Sequence, residues 1–408
     1  MGSFSTALTG LQADTVSLNT IGNNLANLNT TAYKDQSTTF EDLFYQQIGT
    51  SGSNNPIQVG VGTKVSGTDT NFLQGSLSTT GNSADMALQG NGFFVVQQGG
   101  VQSLTRAGNF QLDAVGNLTT VDGEQVMGYP ATGGVVNANA GLVPLTVPVG
   151  VNEAAQATQN FSVTANLDAS AATGTAFTTP VTMYDSLGQS HSVTVSYTKT
   201  GANTWDYSVA LPAADATGTP TNNTGTLTFD TNGNLVSPAA NVAGITFPGL
   251  TDGASDMSFN WNLYANGSST IAQSTAASST TASNQDGYAS GTYQSFTVDA
   301  NGVISASFSN GHTQDIGQLA VASVTNPEGM VLTGNNNYMT TAASGAATVG
   351  VAGAGGRGTI EDSALEQSNV DISTEFANLI VAQRAFQANS KTITTFDTLT
   401  QDIMGMVR

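Results

Sequence analysis

Apolar side chains recur at steps of three, four and seven residues at the two ends of the chain. The first stripe runs through Phe4, Leu8, Leu11, Leu18, Ile21 and Leu25. The second runs through Ile372, Phe376, Leu379, Phe386, Ile393, Phe396, Ile403 and Val407. Three to four residues per apolar step is the period of an amphipathic helix. The pattern predicts a helix within 1–28 and another within 363–408, with 368–408 pairing back onto 1–28. Neither stripe has an adjacent helix-rich domain to receive it. They are therefore expected to meet each other, or other copies of the chain, which speaks for assembly rather than catalysis. Apart from Ile372 and Val407, these side chains form the candidate assembly interface.

The long middle is rich in Gly, Thr, Ser and Asn and has no helical period. Residues 29–71 hold a short apolar cluster (Phe40, Leu43, Phe44, Tyr45, Ile48) and the Gly/Ser/Asn tract 49–55, and read as a connecting segment, partly ordered at best. From about Phe72 the period changes to two. Gly90-Asn-Gly-Phe-Phe-Val-Val96 is a turn feeding a strand. Three stretches share one hairpin pattern: Phe110 to Leu118, Leu227 to Leu235 and Phe296 to Ile304. Each reads apolar, x, apolar, Asp, x, x, Gly, x, apolar, and Tyr184-Asp-Ser-Leu-Gly188 is a looser fourth copy. The Asp side chain caps such a turn, and Gly supplies the positive φ that tight hairpins need.

Composition shifts at 131–160 and at 266–290. These tracts bracket a stretch holding both tryptophans, Trp205 and Trp261, and read as the two crossings into an inserted domain. The expected layout is nested. Residues 72–150 and 286–362 form one discontinuous β-domain, and 151–285 form an inserted outer β-domain. The fold class is mainly β with terminal α-helices: nested discontinuous β-domains of barrel or sandwich type, plus a coiled-coil pair of the N- and C-terminal helices.

Charge narrows the function classes. The chain carries 28 Asp and Glu against 8 Lys and Arg, a net charge of −20. So few cations make no basic patch, and nucleic acid is not an expected partner. Cysteine is absent, so there is no disulfide, thiolate chemistry or Cys-based zinc site. No run of eighteen apolar residues exists to span a membrane, and no secretory signal opens the chain. Membrane insertion is therefore not expected, and any passage out of the cell would use a route that reads no cleaved signal.

Candidate chemistry is thin. Gly353-Ala-Gly-Gly-Arg-Gly358 matches the dinucleotide fingerprint in letters, but no βαβ unit surrounds it, and a linker is the better reading. Asp230-Thr-Asn-Gly-Asn and Asp299-Ala-Asn-Gly begin like calcium loops, yet their twelfth positions are Asn241 and Asn310 instead of Glu. His191 and His312 are the only histidines, and surface or structural roles are expected for both. No nucleophile elbow appears, and nothing selects a carboxylate pair. The expectation is no enzyme, no catalytic residue, no cofactor and no metal. A surface adhesin or enzyme built on the β-domains is the remaining alternative of another class.

Three stretches carry a resemblance: Ile21-Gly-Asn-Asn-Leu-Ala-Asn-Leu-Asn-Thr-Thr-Ala-Tyr-Lys34, Leu365-Glu-Gln-Ser-Asn-Val-Asp371 and Ile380-Val-Ala-Gln-Arg-Ala-Phe-Gln-Ala-Asn-Ser-Lys-Thr-Ile393. In order and spacing they resemble the terminal signatures of bacterial flagellar axial proteins of the rod and hook group. Asn91-Gly-Phe-Phe94, Arg106-Ala-Gly-Asn-Phe110 and Gly128-Tyr-Pro130 resemble that group's first β-domain. The length and the Asp185-Ser-Leu-Gly188 insert resemble the hook-forming members, with a distal rod component as the alternative. One departure is Ala32-Tyr33, where many relatives have Gly-Phe. The resemblance implies a motility protein outside the cell that polymerises with itself into a flexible hollow helical tube carrying torque from rod to filament. It also implies export through the flagellar type III apparatus. Neighbours would be rod proteins, hook–filament junction proteins and a cap at the growing tip.

Overall fold

The computed structural model describes residues 2–52, 55–265 and 267–406. Val407 of the second stripe lies outside them. Both predicted helices are present: α1 spans Gly2–Ala26 and α2 spans Ile372–Met406. Asp371 caps α2, its carboxylate accepting the Thr374 amide at 2.8 Å. That bond holds the Asp371 carboxyl below its usual range. Among the described residues, everything between the helices is strand, turn or loop, apart from one short 3₁₀ turn at Pro327–Gly329.

Contacts divide the chain into two units. The first comprises Met1–Val149, Phe296–Ala306 and Gln314–Arg408; the second comprises Gly150–Ser295 and Ser307–Thr313. The second unit reaches past residue 285, where the sequence reading put its end, for a visible reason. Glu153 binds His312 Nδ1 at 2.7 Å and accepts Asn310 Nδ2 at 3.0 Å, and the His312 ring stacks on Tyr288. The strand Asn152–Glu153 also pairs with Gly291 and Thr292.

In the first unit, the hairpin Phe93–Gln98 with Val101–Thr105 is joined by the antiparallel strand Gln125–Thr132. Gly128 of that strand faces Leu319, so the two parts of the discontinuous unit share a sheet. Phe93, Val95, Leu104, Met127, Tyr129 and Tyr338 fill its interior.

The second unit is a sandwich of two open sheets. One is an antiparallel meander from Ala176–Tyr184 through Ser190–Gly201, Thr204–Ala210 and Thr224–Phe229 to Leu235–Ser237. The other centres on Asn160–Asp168, flanked in parallel by Met257–Trp261 and Ile271–Ser274 and in antiparallel by Ser279–Gln285. Alternate residues of Ser190–Gly201 point inward, as the period of two requires. Trp205, Trp261, Tyr197, Phe161 and Phe259 fill the space between the sheets.

The four Asp–Gly turns are built alike. Asp113, Asp185, Asp230 and Asp299 each accept two backbone amides, two and four residues on, at 2.8–2.9 Å. Gly116, Gly188, Gly233 and Gly302 each sit at φ between 83° and 87°. Hydrogen bonds from Asn117 and from Asn234 hold the Asp113 and Asp230 carboxyls below their usual range. The two calcium-like stretches thus spend their carboxylates on their own turns. The Gly-rich stretch 353–358 is a loop between the strands Thr348–Gly350 and Thr359–Asp362.

One expectation is corrected. Residues 29–71 are not a loosely ordered connection. They form a two-storey antiparallel hairpin, Gln36–Asp42 with Thr63–Thr70 and then Tyr45–Thr50 with Pro56–Gly60. The strands bulge beside Gly49 and beside Gly67. The alternating Thr, Phe, Val and Ile residues make the strands.

Candidate assembly surface

Two of the signature stretches, 21–34 and 365–371, far apart in sequence, meet at one place beside Arg106. Lys34, fully buried, bonds Glu366 Oε1 at 2.5 Å and the Leu73 carbonyl at 2.7 Å. Glu366 Oε1 also accepts the Gly75 amide at 2.9 Å. Arg106 Nη1 stands 3.5 Å from Glu366 Oε2, an ion-pair contact without a hydrogen bond. Arg106 instead donates to the carbonyls of Gly90 and Leu88. Burial pushes the Lys34 ammonium down against the pull of Glu366, and it lowers Arg106 in the same way. Around this ion cluster the backbones interlock. The Ala32 amide donates to the Glu366 carbonyl, the Asn369 amide to the Tyr33 carbonyl, and the Asp35 amide to Asn369 Oδ1. The chain's two ends are therefore fastened to each other and to the β-domain at the root of the helices. Ala32 sits there at φ 55° and fully buried, a conformation glycine adopts without strain.

From that root α1 and α2 run antiparallel. Asn24 Nδ2 lies 3.4 Å from Glu375 Oε2, and Asn389 Nδ2 donates to Asp14 Oδ2 at 2.8 Å. The tightest part of the seam is not the large apolar stripe. Ala7, Ala13, Thr20, Ile21 and Asn24 are the buried residues of α1, and Glu375 and Ala382 those of α2. A Cβ added to Gly10 would lie 2.8 Å from the Asn389 amide nitrogen, so the backbones approach where the side chains are small.

Of the candidate interface residues, only Ile21 is buried. Leu11, Leu18, Leu25, Leu379, Phe386, Ile393 and Phe396 are half-buried. Phe4, Leu8, Phe376 and Ile403 remain 45, 40, 52 and 57% exposed. α2 has 35 residues against 25 in α1, so in this register its last turns run past the start of α1. Leu399, Met404 and Met406 are exposed there as well. The periodicity found the large residues and missed the small and polar ones, although Ala7, Gly10 and Ala13, three apart, were a visible signal for close helix approach.

A second uncovered surface lies on the outer storey of the hairpin. Every residue of Tyr45–Thr50 and Pro56–Gly60 is exposed. Phe44, Tyr45, Ile48, Ile57 and Val59 leave apolar surface in water along a strip too narrow to cover itself. Among the described residues no helix is long and apolar enough to cross a membrane.

A fastened root, a helix pair with uncovered apolar residues and an open hairpin are the features of this region. Comparison with known families places the chain. Residues 4–34 match the flagella basal body rod protein family, and 361–406 match the C-terminal family of flagellar basal body rod FlgEFG proteins. Residues 87–166 match the flagellar hook protein FlgE/F/G D1 domain, and 165–288 the flagellar basal body protein FlaE D2 domain. The class is thus that of flagellar axial subunits. The flagellar hook protein FlgE of Treponema pallidum is 33% identical, with all of each chain covered. That of Salmonella typhimurium is 36% identical over 99% of this chain and 100% of the other, and that of Escherichia coli K12 is 35% identical over 99% of both. The fold is also that of the Helicobacter pylori flagellar hook protein FlgE2, at a TM-score of 0.54 and 16% identity, over 70% of this chain and 99% of that one. The chain belongs to the flagellar hook protein FlgE family. It is a structural subunit of the hook and not an enzyme, and it polymerises into the hook as part of the flagellum. The distal rod alternative gives way to these full-length hook relatives.

Proposed function

We propose that the apolar stripes of α1 and α2, through the parts they leave in water, are the contacts by which one subunit completes the next. Phe4, Leu8, Leu11, Leu18, Ile21, Leu25, Phe376, Leu379, Phe386, Ile393, Phe396 and Ile403 form this seam. The observation that carries the proposal is the apolar surface left in water along a long, thin helix pair. Phe376 and Ile403 are more than half exposed, and the inner storey of the hairpin, bonded to α1 through Thr38–Thr20 and Gln36–Asn24, leaves them uncovered. Two helices alone bury too little to hold themselves firmly, so neighbouring pairs supply the remainder. A contact that does not close on itself generates an open helical polymer. In this reading the inserted segment 151–285 tunes bending, while the terminal pair and the 72–150/286–362 domain hold the tube.

The wider setting follows from membership of the family. The tube transmits torque from rod to filament outside the cell. It meets rod proteins at its base and hook–filament junction proteins at its end, and it grows beneath a cap. Its subunits leave through the type III export apparatus.

Phe376→Asp is the test. A charge at an exposed position costs the isolated chain little, but it costs several kcal/mol if buried unpaired in a polymer. The expected outcome is a folded subunit by circular dichroism that sediments as monomer where the parent forms tubes. Normal tubes from this variant remove Phe376 from the seam.

A further inference from the structure

We propose that the second unit carries a site for a first-row divalent cation, zinc in type, formed by His191, Asp185 and Asp252. Their ligand atoms lie within 4.8 Å of one another. His191 Nε2 is 3.1 Å from Asp185 Oδ2 and 3.5 Å from Asp252 Oδ2. Zinc holds nitrogen and carboxylate oxygen at about 2.0–2.2 Å, which sets its ligand atoms about 3.0–3.5 Å apart at octahedral or tetrahedral angles. The spacing around Nε2 is therefore already that of a coordination shell.

The far side of the ring fixes which atom is offered. His191 Nδ1 lies 3.0 Å from Asp215 Oδ2. A neutral imidazole has a single N–H. With that proton on Nδ1 and donated to Asp215, Nε2 turns a lone pair toward two carboxylate oxygens, an arrangement that a cation between them satisfies. A carboxylate behind the ring is also how proteins orient a metal-binding imidazole.

Both carboxylates are held in place with one oxygen spare. Asp185, fully buried, gives Oδ1 to the amides of Leu187 at 2.8 Å and Gln189 at 2.9 Å. Asp252 gives Oδ1 to the Ala254 amide at 3.0 Å. In each case Oδ2 is left for the cluster. The supporting loops are tied together as well. The Ser255 amide donates to Ser186 Oγ and the Thr251 amide to the Asp215 carbonyl, both at 3.0 Å. The Asp252 side chain is 27% exposed, so an ion can enter from that side and water can complete its shell. One imidazole with two carboxylates suits zinc and its neighbours; calcium prefers an all-oxygen shell.

The site joins two sheets. Asp185 and His191 flank the turn into Ser190–Gly201, while Asp252 lies between Val242–Phe247 and Met257–Trp261 of the facing sheet. A bound ion clips that end of the sandwich shut. Burial pushes the His191 imidazole down, but the hydrogen bonds and charges of Asp215 and Asp185 outweigh it and raise its pKa. A proton on Nε2 is thus the competitor for the same space.

The full-length chain, stripped with EDTA and then given zinc chloride near neutral pH, separates the two. Retained metal is measured after dialysis, and melting is followed by calorimetry. The expected result is one zinc per chain and a higher melting midpoint for the second unit. Asp252→Asn, at a partly exposed position that leaves the fold intact, loses the retained zinc, as does His191→Gln. Asp215→Asn weakens zinc about 10–100-fold through the loss of ring orientation. His312→Gln leaves retention unchanged. No retained zinc in the parent, or equal retention in a folded Asp252→Asn, overturns the site and leaves the cluster to an imidazolium.

Discussion

Trp205, Trp261 and Tyr197 in the second unit are enclosed by side chains of two facing sheets, whereas along α1 and α2 Phe4, Leu8, Phe376 and Ile403 keep two fifths or more of their surface in water. Both regions are rich in large apolar residues. They differ in dimensionality. Two sheets stacked face to face give each inward residue neighbours from the opposite layer and from adjacent strands. Two helices side by side give each residue a single line of contact, and the rest of the stripe stays outside. The first arrangement is finished within one chain. In the proposed seam, the second is finished by further copies.

The sharpest way to break this comparison is to damage the finished region. Trp205→Ala opens a cavity and strands Gln273, whose Oε1 accepts the indole N–H at 3.0 Å. The expected cost is about 3–5 kcal/mol, read from denaturant unfolding of the second unit, with helix content unaltered. A cost below about 1 kcal/mol would mean that this core is as loosely held as the helix seam.

Glu366→Gln tests the root that joins the two ends. It leaves Lys34 buried without its partner, and the expected loss is about 3–5 kcal/mol, close to that of the tryptophan. Here the damage appears in the first unit. Protease should release both helices while the second unit keeps its melting transition.

The helix seam itself is probed by Gly10→Leu. The added side chain runs into Asn389 and displaces its bond to Asp14. A cost of about 1–3 kcal/mol is expected, seen as lost helical dichroism in the monomer. An unchanged helical signal would show that the small-residue approach is not what holds the pair.

The smallest expected effect is Ala32→Gly. Relief of the left-handed conformation is worth about 1–2 kcal/mol, and the lost buried methyl about 0.8 kcal/mol. A net gain under about 1 kcal/mol in chemical denaturation is expected. A larger loss would mean that the methyl packs more than it strains.

Much of this architecture was legible because it is local. The apolar period of Phe4 to Leu25 and of Phe376 to Ile403 lies within single helices, and the helices stand where it put them. The Asp–x–x–Gly turns work through bonds spanning four residues at most, and all four formed. The hairpin at 36–70 was missed because bulges break its strands and its outer storey buries neither face, so its apolar residues mark no buried side.

The amino-acid order by itself determined the two terminal helices and the four Asp–x–x–Gly turns, since periods and turn residues act through neighbours a few positions apart. It also set the terminal signatures that mark the family. The tertiary structure alone decided what those signatures do. Lys34 and Glu366 are 332 residues apart, yet they share one buried ion pair. The seam of α1 and α2 closes on Ala7, Gly10, Ala13, Asn24 and Ala382, because backbones approach most closely where side chains are small, and only the register of the packed helices says where that is. Likewise Asp185, His191, Asp215 and Asp252 carry no spacing that a metal motif would show. They meet because a turn of one sheet and a loop of its partner end at the same edge of the sandwich. Contacts of this kind depend on the path of the chain in space, and no local preference encodes them.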